Sequence, residues 1–95
     1  MTWRLTADAE LDLDEMVTFG ARQYGLPNAM DYYDRMVEVF VMLAEFPGLS
    51  FSREIKGRQV RLHVYLAHHI LYTIDDGDVL ILRVLHGSAN WIEHL

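Results

Sequence analysis

The hydrophobic and polar positions of this chain change period once, near residue 50. Before that point apolar residues recur at helical spacing; after it they alternate or run in short blocks, the pattern of strands. Trp3 and Leu5 alternate with Thr2, Arg4 and Thr6 and predict a short first strand. Thr6 or Asp8 can cap the following helix by accepting a hydrogen bond from a free backbone N–H. Acidic residues in that first turn suit the positive end of the helix dipole. Ala9, Leu13, Met16, Val17, Gly20 and Tyr24 give residues 8–24 one apolar face, and Gly25 can take the left-handed conformation that ends a helix. Pro27 and Asn28 open a second helix with the stripe Ala29, Tyr32, Tyr33, Met36, Val39, Phe40 and Leu43, which Pro47-Gly48 stops. The connection is short, so residues 8–46 are expected to form an antiparallel helix hairpin. Helical spacing alone accounts for the Tyr, Met and Phe stripe, which reads as core rather than as a cofactor pocket.

The second half reads as an antiparallel meander. A short edge strand is expected around Arg53–Ile55. Val60, Leu62, Val64 and Leu66 alternate with Arg61, His63 and Tyr65, a tight bend falls near Ala67-His68, and residues 69–74 continue the sheet. Asp76-Gly77 is a hairpin signal, because both central positions of the favoured two-residue turn need positive φ. Val79–Leu85 is almost wholly apolar and should be an inner strand buried on both faces. The helices can cover one face; the other needs the C-terminal tail or another chain. The fold class is therefore α+β: an N-terminal strand and an antiparallel helix hairpin packed on an antiparallel β-sheet, with residues 1–95 as a single domain.

Composition narrows the function. Cysteine is absent, so disulfides and thiolate metal sites are excluded. No run reaches the roughly 18 apolar residues of a membrane helix, and a cytoplasmic protein with no membrane association is expected. The net charge of −6 disfavours a polyanion-binding surface, since nucleic-acid affinity rests on Lys and Arg neutralising phosphates. The charge is uneven: Asp8, Glu10, Asp12, Asp14 and Glu15 crowd the first helix, whereas five of the eight basic residues lie at or after Arg53. The 52% hydrophobic fraction is high for so small a chain and suggests a partner.

Four groups of residues are candidates for chemistry. The five histidines, His63, His68, His69, His86 and His94, include no pair at helical i, i+4 spacing, and His68 and His69 should point to opposite faces of a strand. A metal site is not expected, nor a cofactor. Arg61 and Arg83 can approach within one sheet and clamp a phosphate or carboxylate; the alternative is that each pairs with an acidic residue of this chain or of a partner. Arg83, His86 and Ser88 together offer a proton carrier beside a fixed cation, without an orienting carboxylate that the sequence places. Trp91, Ile92 and Leu95 suit one helical turn that either packs back on the sheet or forms a contact surface.

The order strand, helix hairpin, antiparallel sheet resembles the ParE branch of the ParE/RelE toxin superfamily. The resemblance rests on Trp3-Arg4-Leu5-Thr6-Ala7-Asp8-Ala9 with Asp12-Leu13, on Tyr24-Gly25 with Ala29 and Tyr32, and on Leu43-Ala44 with Pro47-Gly48. It continues in the sheet through Arg61, His69, Ile70, Tyr72 and Ile81-Leu82-Arg83-Val84-Leu85-His86. It implies a toxin that binds DNA gyrase and stalls it on cleaved DNA. It also implies neutralisation by a ParD-type antitoxin that lays an amphipathic segment over hairpin and sheet. Operator DNA would be met only through that antitoxin's ribbon-helix-helix domain. Arg61, His69, Arg83, His86 and Trp91 are then the expected partner- or target-binding residues. One alternative is a RelE-type, ribosome-dependent mRNA endonuclease with His86 as acid or base and Arg83 as phosphate clamp. The other is an interaction module without toxicity. Against cleavage, His69 stands where those nucleases often carry Arg, and Gly87-Ser88-Ala89-Asn90 replaces a segment that is often basic in them. A phosphorane-like transition state needs such cations as well as a proton carrier.

Overall fold

In the computed structural model, which describes residues 1–95, the chain runs β1 (Trp3–Leu5), α1 (Ala7–Tyr24), α2 (Leu26–Glu45), β2 (Ser52–Ile55), β3 (Arg58–Tyr65), β4 (His68–Asp75) and β5 (Asp78–His86). Short 3-10 turns occupy Pro47–Leu49 and Trp91–His94. Thr6 caps α1, its hydroxyl oxygen accepting from the Ala9 N–H at 3.0 Å. The same hydroxyl donates to the Leu82 carbonyl at 2.8 Å, so the start of α1 is fixed to β5. Gly25 joins the helices alone. Its φ of 89° is positive as expected, but its ψ of 151° is extended rather than left-handed helical. A one-residue link must reverse the chain at once: the Gly25 N–H closes α1 on the Ala21 carbonyl while its own carbonyl accepts from Ala29 in α2.

The sheet has the order β1-β5-β4-β3-β2. Residues 52–86 form an antiparallel meander, and β1 adds to its last strand in parallel, Trp3 beside Val79 and Leu5 beside Ile81. The sheet as a whole is therefore mixed. The turn at Asp76 and Gly77, with φ of 50° and 78°, has both central residues at positive φ. The bend between β3 and β4 falls at Leu66-Ala67, one residue earlier than expected, and puts Leu66 at φ 50°. A branched, non-glycine residue there costs on the order of 1 kcal/mol.

Two cores lie on opposite faces of the sheet. On the helix side Ala9 and Leu13 of α1 and Met36, Val39, Phe40 and Leu43 of α2 pack on Ile70, Tyr72, Val79, Ile81 and Val84. Trp3 stacks at a tilt on Phe40, with ring centroids 5.2 Å apart, and the buried Tyr72 hydroxyl donates to the Pro47 carbonyl. On the other side Val60, Leu71, Leu82 and Leu85 form a smaller core, covered by Ala89, Trp91 and Leu95. The second face of β5 is thus closed by the chain's own tail. Of the two covers the sequence left open, tail or another chain, the tail is the one found: it needs only one turn after Ala89 to lay Trp91 across this face, so a partner's helix is not required there.

Candidate functional site

Along β5 the register breaks once. From the turn as far as Tyr72–Ile81 the strands pair residue for residue, but the next pair is Leu71–Arg83, leaving Leu82 extra. This is a β-bulge, which bends the strand and withdraws backbone groups from the ladder. The side chain of Asp12 on α1 takes up the consequence. Its carboxylate accepts from the Val84 N–H at 2.9 Å and from Arg83 Nε and Nη2, each at 2.8 Å. Asp12 is buried and Arg83 partly so. The hydrogen bonds to Asp12 hold the guanidinium charged and push its pKa up, against the opposing effect of burial. Arg83 Nη1 also donates to the His94 carbonyl at 3.2 Å, which ties the tail to the same centre. Arg83 is therefore anchored within the chain.

The remaining expected residues fall in separate places. Arg61 lies on β3 and donates to the Ser50 carbonyl at 2.7 Å; strand β4 separates it from Arg83, so the two do not converge. Trp91 lies beneath the guanidinium of Arg53, 5.9 Å from ring centre, and Lys56 Nζ donates to the Leu95 backbone oxygen. His69 faces the tail side, opposite Val64 and Leu85, and its Nδ1 is buried without a hydrogen-bond partner. His86 ends β5 on the helix side, where a third group of residues gathers.

That group surrounds a groove of about 430 Å³ at the Gly25 end of the helix hairpin. Met16, Phe19, Gly20 and Tyr24 of α1 form one wall, Ala29 and Tyr32 of α2 the floor, and Ala67, His68 and His86 the far side. His68 and His86 are direct cross-strand partners, with rings edge to face at 5.9 Å. The Tyr32 hydroxyl and His68 Nδ1 share a hydrogen bond of 2.8 Å, and the Tyr32 ring also meets Tyr65 at 5.9 Å. Burial, then the proximity of His86 and His69, holds the His68 pKa below that of a free histidine. Burial likewise raises that of Tyr32, so the hydroxyl keeps its proton. His86 Nδ1 accepts from the Ser88 N–H at 3.3 Å and lies 2.9 Å from Ser88 Oγ, so that nitrogen is engaged within the chain.

Tyr32, His68, Phe19 and Tyr24 were not among the expected site residues: Tyr32 and Tyr24 were read as helix stripe and helix junction, and His68 as part of a bend and as an argument against a metal. The bulge explains why His68 escaped. A register counted straight from the Asp76-Gly77 turn sets Leu85 opposite His68; the extra residue at Leu82 brings His86 there instead.

The fold and this geometry define a small α+β protein with an internally anchored arginine and an open, histidine-edged groove. A solved structure titled as the chromosomal ParDE system of P. aeruginosa shares the fold, with a TM-score of 0.77 at 21% identity over 90% of this chain and 95% of that one. The family model described as the ParE toxin of type II toxin-antitoxin system, parDE, matches residues 3–91. Toxin ParE1 of Caulobacter vibrioides is 32% identical over 93 residues, covering 98% of this chain and 96% of that protein. The chain belongs to the ParE toxin family of type II toxin–antitoxin systems. No helix is long and apolar enough to cross a membrane.

Proposed function

We propose that this toxin acts by binding DNA gyrase and is neutralised by a ParD-type antitoxin, without catalysing a reaction itself. The observation that carries the binding reading over mRNA cleavage is the commitment of Arg83. Cleavage needs a cation free to stabilise a pentacovalent phosphate next to the proton carrier. Arg83 is held bidentately by Asp12 and by the tail, while His86 turns to Ser88 and His68. Family membership supports both the toxin role and an antitoxin partner. Within this reading the faces that meet target and antitoxin draw on Arg61, His69, Arg83, His86 and Trp91. Of these, His86 is the one whose side chain lies exposed on an open groove.

Induction in growing cells, with mRNA integrity and gyrase-linked DNA breaks followed in parallel, tests the proposal. The binding reading expects DNA breaks and blocked division while bulk mRNA stays intact. Rapid cleavage of translated messages without DNA breaks would overturn it and return His86 to a catalytic role. Restoration of growth by the open reading frame adjacent to this one tests the antitoxin half.

A further inference from the structure

Resting on the toxin–antitoxin reading, we propose that the groove beside Gly25 receives an antitoxin segment with an apolar anchor and a carboxylate, the anchor against Phe19 and Tyr24 and the carboxylate on the His68–His86 pair. The complex then tightens as pH falls towards 6. Three observations lead there. First, Phe19 and Tyr24 are 62% and 70% exposed although they wall the groove, so the chain leaves two aromatic faces uncovered beside the buried Ala29. Aromatic side chains around a depression are the usual anchoring points of a polypeptide partner.

Second, the polar end of the groove is selective in charge. The chain carries fourteen carboxylates, yet none lines the groove. The titratable groups facing His68 are Tyr32 from α2, Tyr65 from β3 and His86 from β5, with His69 adjacent on its own strand. From α1 the groove's titratable group is Tyr24. All can donate a hydrogen bond, and the imidazoles can become cations. A partner carboxylate set there meets donors and no repulsion, whereas a partner cation meets two rings that can only repel it once protonated.

Third, His68 on its own resists protonation. Burial and mutual repulsion keep His68 neutral at neutral pH. An incoming carboxylate reverses the balance, because an opposite charge within about 4–6 Å favours the protonated ring. Association is then coupled to proton uptake, and by linkage a complex that binds more protons than its parts gains affinity as pH falls.

The test measures the dissociation constant of the toxin and its neighbour-encoded antitoxin at pH 8.0 and pH 6.0, with proton uptake counted by calorimetry in two buffers. Wild type is expected to bind about five- to tenfold more tightly at the lower pH, up to one proton's worth of linkage per unit. His86→Gln, at an exposed position, and the double variant with His68→Gln should flatten that dependence; His86→Gln alone suffices if the double variant melts early. Phe19→Ala with Tyr24→Ala, both exposed, should weaken binding at least about tenfold at either pH. A complex that forms with no proton uptake, keeps its pH dependence in the histidine variants, or ignores loss of the two aromatics overturns the groove assignment and leaves the antitoxin reading standing. Failure of any complex to form at either pH overturns both.

Discussion

The two faces of the sheet share strands but are closed in different ways. Two helices, Ala7–Tyr24 and Leu26–Glu45, seal one face, with Phe40, Met36, Leu43 and Ile70 fully removed from solvent. The last seven residues close the other. There Trp91 and Leu95 are only partly buried, and polar ties help hold them: Arg83 to the His94 carbonyl, Lys56 to Leu95, Arg53 over Trp91. Apolar burial contributes about 25 cal/mol per Å², so the helix face carries most of the folding free energy, and the tail face is the one able to open locally. Asp12 couples the two, since it binds the backbone of β5 from a helix while fixing the arginine that holds the tail.

The largest effect is expected on the helix face. Phe40→Ala removes a fully buried ring from contact with Trp3 and should destabilise by about 3–5 kcal/mol. A domain of this size holds roughly 5–15 kcal/mol in total, so chemical denaturation should show a large drop in midpoint, with incomplete folding as the extreme.

Asp12→Ala should come next. It strands a half-buried guanidinium and the Val84 N–H together, and breaking such a pair from one side costs about 3 kcal/mol. Hydrogen exchange should then show loss of protection both at Val84 and in the tail. Protection lost at Val84 alone would mean the two faces are not coupled through this carboxylate.

Trp91→Ala should cost less, about 1–2 kcal/mol, because the ring is only partly withdrawn from water. Its signature is local: amides around Leu82 and Leu85 should exchange faster while those of α2 are unchanged. Uniform loss of protection would place the tail inside the global folding unit.

The smallest effect is a pH dependence that belongs to the helix side, to which both His63 and His68 point. Burial lowers the pKa of each from the free value of 6.5, with repulsion from His86 and His69 adding to it at His68. The unfolded chain therefore takes up protons at a pH where the folded chain still refuses them. Stability is complete above 6.5, falls as pH drops from there to the lowered values, and is level below them as far as these two groups are concerned. Thermal melts from pH 8 to 5 should show this decline. Melting temperatures that rise on acidification would contradict it, and His63→Gln with His68→Gln should flatten the curve.

The amino-acid sequence by itself determined the elements of this protein. Local chemistry sets each of them: the Thr6 cap, the stripe from Ala29 to Leu43, the Pro47 stop, the Asp76-Gly77 turn and the apolar run of β5. Each depends on residues a few positions apart, and so each is legible in one dimension. Family membership was legible for the same reason, through the order and spacing of those elements. The tertiary structure decided what depends on register and on distant chain segments. Leu82 bulges where Thr6 captures its carbonyl and Asp12 the amide of Val84, contacts across more than seventy residues. That single inserted residue turns Arg83 towards Asp12, places His86 opposite His68, and creates the groove's histidine edge. Side chains on a strand alternate with period two, so a one-residue shift changes every cross-strand partner beyond it, and no local pattern in the sequence records where such a shift occurs.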